Sequence, residues 1–185
     1  MNSPELPTVL SLHCHPSTPC PAVDALQVQV TPSASGLHLR YILNGTLAAL
    51  NIPRPQAPTA TDGLWEHTCF ETFIRVLGEN RYHEFNFSPS SQWAAYAFSA
   101  YRERLAWQAQ QPPVISTAVH GNEFVLETLL ASADLPDNST QQPWQLGITA
   151  VLETTSGEKS YWALQHPATR PDFHHNDGFV HAIWP

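Results

Sequence analysis

A chain of 185 residues, 42% of them hydrophobic, has the material for one substantial core and excludes disorder as the default state. Its formal charge of −8, with a single Lys (Lys159) beside seven Arg, excludes the clustered cations that hold a nucleic-acid backbone. No run approaches the roughly 20 apolar residues that cross a bilayer as a helix, and 17 prolines disfavour long helices, so many short strands are expected.

In chain order, Met1 to Pro16 has no positive n-region and no clean apolar stretch before a small-residue cleavage site, which predicts a cytoplasmic protein. Cys14, Cys20 and Cys69 fit that setting as reduced thiols, because an odd number completes no disulfide framework. Thr8 to Cys14 reads as a first strand. The cluster His13, Cys14, His15 and Cys20 has a metal-site composition, but neighbouring strand residues point to opposite faces, so it is read as structural. Asp24 to Thr31 and Leu37 to Asn44 alternate and flank Ser35-Gly36, which predicts an antiparallel pair. Pro53, Pro55 and Pro58 then mark a long surface loop leading into Trp65.

Asp62 to Pro89 is the stretch around which the rest is organised. Two aromatic and β-branched runs flank Gly78 to Arg81, so a β-hairpin is predicted in which Leu77 pairs with Tyr82. Counting back places Phe70, Thr72, Ile74 and Val76 opposite Pro89, Phe87, Phe85 and His83 on a core face. The other face sets Arg75 against Glu84, Phe73 against Asn86 and Glu71 against Ser88. That polar row beside Trp65 suits a polar ligand, and it equally suits a solvated outer face.

Gln92 to Arg104 fits either a helical stripe or a strand, and is assigned as strand. Val114 to Leu130 is a second hairpin turning at Gly121-Asn122, followed by strands at Trp144 to Glu153 and Lys159 to Gln165. A loop, His166 to Asp177, precedes a closing strand at Gly178 to Trp184. Nine or ten short strands without a helical stretch or an internal linker predict a single all-β domain over 1–185, a two-sheet antiparallel β-sandwich of jelly-roll type.

Asp62-Gly63-Leu64-Trp65, Cys69-Phe70-Glu71-Thr72-Phe73 and Tyr82-His83-Glu84-Phe85-Asn86-Phe87-Ser88-Pro89 resemble the core motif of the DOMON-like ligand-binding domains, which are similar to family 9 carbohydrate-binding modules. Tyr161-Trp162-Ala163-Leu164 and Pro171-Asp172-Phe173-His174-His175 look like the stand-alone bacterial branch. The resemblance implies a non-catalytic module for a small ligand, plausibly a saccharide, with Trp65 stacking on a ring and Glu71 accepting from its hydroxyls. A second Trp of the sugar-binding relatives is missing, and His174 and His175 stand in its loop. Haem-binding relatives use Met with His. Met1 is the only Met here, so of the haem pairs only bis-His is open.

The expected ligand-binding set is therefore Trp65, Glu71, Phe73, Asn86 and Ser88 from the hairpin, with Arg170, Asp172, His174 and His175 from the final loop. Arg170 adds a fork for a carboxylate, unless it simply bridges Asp172. No cofactor and no transition metal are expected, and the resemblance leaves a structural calcium at Asp62 or Asp172 open. The expected partner is a small molecule, with no nucleic acid and no membrane. Three alternatives stand beside this: a haem-binding domain, a glycoside hydrolase using Glu71 and Glu84, and a protein-interaction module.

Overall fold

The computed structural model describes residues 7–184. The architecture follows from a division within the first strand, β1 (Thr8–Cys14). Thr8 to Leu12 pair antiparallel with β2 (Val23–Ser33), whereas His13 and Cys14 pair with β12 (Lys159–Ala163). From β2 the sheet continues through β3 (Gly36–Gly45), β10 (Glu123–Ala131) and β9 (Val114–His120). From β12 it continues through β11 (Trp144–Glu153), β5 (Cys69–Val76), β6 (Tyr82–Phe87), β7 (Gln92–Phe98) and β4 (Thr59–Ala60). Two short strands complete it, β8 (Arg104–Leu105) on β7 and β13 (His181–Ile183) on β11.

The chain is all-β, as its alternation predicts, but it does not divide clearly into the two separate antiparallel sheets expected from sequence. One hydrogen-bonded path of eleven strands, with β8 and β13 attached beside it, curls over itself as a half-barrel, because β1 belongs to both halves. The sheet is mixed, since β4 runs parallel to β7. Among the described residues there is no α-helix, and so no helix long and apolar enough to cross a membrane.

The two halves face one another over the main core, where Leu39, Leu43 and Leu126 meet Phe70, Ile74 and Ile148. Phe70 stacks on Phe124 with ring centres 6.0 Å apart. Tyr41 on β3 reaches across this core and donates from its hydroxyl to the Glu71 carbonyl at 2.9 Å, with Thr72 Oγ1 at 2.7 Å. That bond fixes β5 from behind at the residue whose side chain points the other way.

The hairpin pairs Phe70 with Phe87, Glu71 with Asn86, Thr72 with Phe85, Phe73 with Glu84 and Ile74 with His83. The predicted pairs are each displaced by two residues. The turn starts early, with Glu79 N–H bonding the Val76 carbonyl and Gly78 at φ +86 inside it rather than opening it. A shift of two keeps every side chain on its predicted face, but it removes the expected pair of Arg75 with Glu84. Arg75 instead donates to Gln145 at 2.9 Å and to Asn176 Oδ1 at 3.2 Å.

The outward face is not solvated either. Cys69, Glu71 and Phe73 are all buried, because the segment between β12 and β13 folds back over that face. Its start is pinned by the histidine cluster: Ser17 N–H donates to His15 Nδ1 at 3.1 Å, leaving Nε2 to donate to the Ala168 carbonyl at 3.2 Å. His166 Nε2 donates to the His13 carbonyl at 2.8 Å. Cys14, Cys20 and Cys69 are free thiols.

Candidate functional site

The outward face of β5, β6, β7 and β11 carries its side chains in cross-strand rows. One row runs Thr149, Glu71, Asn86 and Ala94, and the next runs Gly147, Phe73, Glu84 and Tyr96. Glu71 and Glu84 are thus diagonal neighbours on adjacent strands. Above them lies a cavity of about 370 Å³, a volume typical of small-molecule sites.

The two carboxyl groups form its floor. Glu71 is 2% exposed, and its Oε1 has no hydrogen-bond partner among the described residues. Burial, and then the nearby Glu84, holds its carboxyl well above the usual range. Glu84 is 5% exposed and accepts from Asn86 Nδ2 at 2.7 Å. Burial pushes it up to about 7, although Asn86, Arg102 and Arg104 all pull the other way.

Three segments build the walls. A 3-10 turn at Leu64–Glu66, entered through Gly63 at φ +76, presents Trp65, which is 41% exposed. Trp65 packs edge-on to Tyr96, whose hydroxyl donates to Asp62 Oδ1. The β7–β8 connection supplies Arg102 and Arg104, with the Arg104 guanidinium 3.9 Å above the Tyr96 ring. The final loop supplies Phe173 and His174, and Tyr161 backs Phe173 from β12.

His174 is set by a directed chain. Arg102 N–H donates to the Tyr82 hydroxyl at 3.0 Å, so the Tyr82 proton goes to His174 Nδ1 at 2.8 Å. Nε2 then carries the imidazole proton and points toward Glu84 Oε2 at 3.6 Å, longer than a hydrogen bond. Burial and the charge of Arg102 push this imidazole down to about 4, against the pull of Asp172.

Of the residues expected from sequence, Trp65, Glu71, Phe73 and His174 line this cavity together. Asn86 lies beneath it, held between Glu84 and the Cys69 thiol. Ser88 faces a neighbouring hollow of about 500 Å³ behind Trp65 and holds a turn by accepting from Ser90 Oγ at 2.8 Å. Asp172 stands outside the lining as a clamp, accepting from Arg102 at 2.9 Å, Tyr101 at 2.8 Å and His174 N–H at 3.2 Å. Arg170 is exposed and does not reach it, and His175 caps the 3-10 turn at Asn176–Gly178. Asp62 and Asp172 are each engaged by protein donors, and among the described residues no three His, Cys, Asp or Glu gather.

Glu84, Tyr96, Arg102, Arg104 and Phe173 are wall or floor residues missed as ligand contacts in the sequence. Glu84 was obscured by the two-residue register difference. Arg102 has φ +57 in a turn without Gly, Asn or Asp, so the usual turn signature is absent.

No family model and no curated protein matches the chain. Among solved structures, the fold is similar to that of a protein from Bacteroides uniformis described as a "putative carbohydrate-binding protein", with a TM-score of 0.66 and 14% identity over 94% of this chain and 84% of that one.

Proposed function

We propose that this chain is a non-catalytic binding module for a saccharide, of the DOMON-like kind that resembles family 9 carbohydrate-binding modules. The observation that carries it is one cavity uniting an exposed Trp65, flanking aromatic rings and two inward carboxyls. Aromatic faces stack on the apolar side of a sugar ring, and carboxyl oxygens accept from its hydroxyls. A fold shared with the protein described as a "putative carbohydrate-binding protein" adds support.

A glycan array followed by calorimetry tests it. Trp65→Ala is expected to weaken binding at least tenfold with little change in Tm, because the ring is half in solvent. His174→Ala is expected to lower both, since that ring packs within 5.2 Å of Phe73 and Phe98. A folded protein that binds no glycan overturns the proposal.

A second reading has one specific observation in its favour. Glu84, held at about 7, is placed in the range of a general acid, with Glu71 beside it. New reducing ends after incubation with a bound oligosaccharide, lost in Glu84→Gln, would establish hydrolysis in place of simple binding.

A further inference from the structure

The floor of the cavity has a chemistry more specific than sugar binding requires. Neither Glu71 nor Glu84 forms a salt bridge with an arginine: Arg102 is engaged by Asp172 at 2.9 Å, and Arg104 lies on Tyr96 near the mouth. Few donors serve the carboxyls. The Asn86 amide bonds only one oxygen of Glu84, His174 Nε2 stands 3.6 Å from the other, and the Thr149 hydroxyl, across the strand from Glu71, favours its ionised form less than burial and Glu84 disfavour it. Ionising two carboxyls side by side in a buried site without a cation is costly, and Glu71 Oε1, buried beside the space that this residue lines, has no hydrogen-bond partner among the described residues.

A ligand group that answers this floor must bring several donors, no acceptor and positive charge. An alkylammonium has three donors and no acceptor. It also gains from aromatic faces, and Trp65, Phe73, Tyr96, Phe98 and Phe173 surround the space. A hydroxyl or an acetamido group leaves the pair protonated and gains only neutral hydrogen bonds, whereas an ammonium supplies the charge that lets the carboxyls ionise in place. The two arginines bias the position rather than the class: they disfavour a cation at the mouth and leave the floor as its seat, while their N–H groups suit neutral ring oxygens.

We infer that the bound saccharide carries a free amino group, seated as an ammonium on Glu71 and Glu84; this rests on the saccharide reading above. Burial favours the protonated form of these carboxyls, so seating the ammonium releases protons.

The probes are chitosan, cello- and chito-oligosaccharides of equal length, which differ at one ring position as ammonium, hydroxyl or acetamido. Calorimetry at pH 6 is expected to show the amino form at least tenfold tighter than either counterpart, with Glu71→Gln bringing the ratio close to one. Titration of the unaltered protein in two buffers of different ionisation enthalpy is expected to show proton release with the amino form alone, a readout that does not depend on the variant folding. Equal affinity across the trio, or array binders that all lack amines, overturns this inference and leaves saccharide binding intact. An array without any binder overturns the saccharide reading and this one with it.

Discussion

Glu84 shows how a binding site is set against stability at single residues. Its folded carboxyl is held at about 7 against a reference of 4.5, so the folded state keeps a proton that the unfolded chain has released. Its contribution is therefore intact below about pH 4.5 and is lost as pH rises toward 7, a loss on the order of 3 kcal/mol for this buried group. Glu71 is shifted in the same direction. Replacing either with its amide removes the titration while keeping the shape. Urea unfolding is expected to show Glu84→Gln and Glu71→Gln more stable than the parent at pH 8 by about 1–3 kcal/mol, and nearly equal to it at pH 4.5. Equal effects at both pH values would mean that the carboxyls are ionised without penalty.

At the scale of elements, the final loop acts as one wall held by clamps on either side of the cavity. Asp172 ties it to the β7–β8 connection, while Arg75 ties Asn176 to the end of β5 and lies 4.5 Å over the Phe179 ring. Gly147 permits the close approach, since a Cβ there would sit 3.3 Å from the Gly178 carbonyl oxygen. Asp172→Ala is expected to weaken saccharide binding about tenfold and to speed amide exchange across 166–178, leaving β5 and β6 as protected as before. Hydrogen-exchange mass spectrometry checks it, and accelerated exchange in β5 would show that Asp172 supports the sheet itself.

The same elements show what alternation can and cannot reveal. The strand faces from Phe70 to Phe87 were legible because a buried face demands period 2, and a displacement by two leaves that parity untouched. The identity of the partner across the strand was not legible, because it depends on where the turn closes. Nor did the sequence show that the polar face would be roofed: that needs the loop at Asp172 to find Arg102, a contact 70 residues apart. Trp65, Glu71 and His174 came together as the resemblance implies, whereas Ser88, Arg170 and His175 do not reach the cavity.

For the whole molecule, buried histidines and buried carboxyls pull stability in opposite directions with pH. His83 and His174 are both held near 4, mainly by burial, so they contribute fully above about 6.5 and lose that contribution as pH falls toward 4. Glu71 and Glu84 lose theirs as pH rises from about 4.5. Between those limits the two slopes offset one another. Stability is expected to be nearly flat from about pH 4.5 to 6.5 and to decline toward pH 8. A chemical-denaturation series across that range measures it, and a maximum at pH 8 would contradict the carboxyl burial described above.

The division of β1 between two partners also has a consequence in time. Its first five residues can pair with β2 as soon as that strand has emerged from the ribosome, but His13 and Cys14 must wait for Trp162 and Ala163. Closure across some 150 residues is slow, because the chain entropy of so large a loop is lost before the contact returns anything. The half built from β2, β3, β9 and β10 can therefore mature early, while the half that carries the cavity assembles only once β12 has emerged. Nascent chains arrested before residue 159 should hold the first β-layer and no ligand site at all.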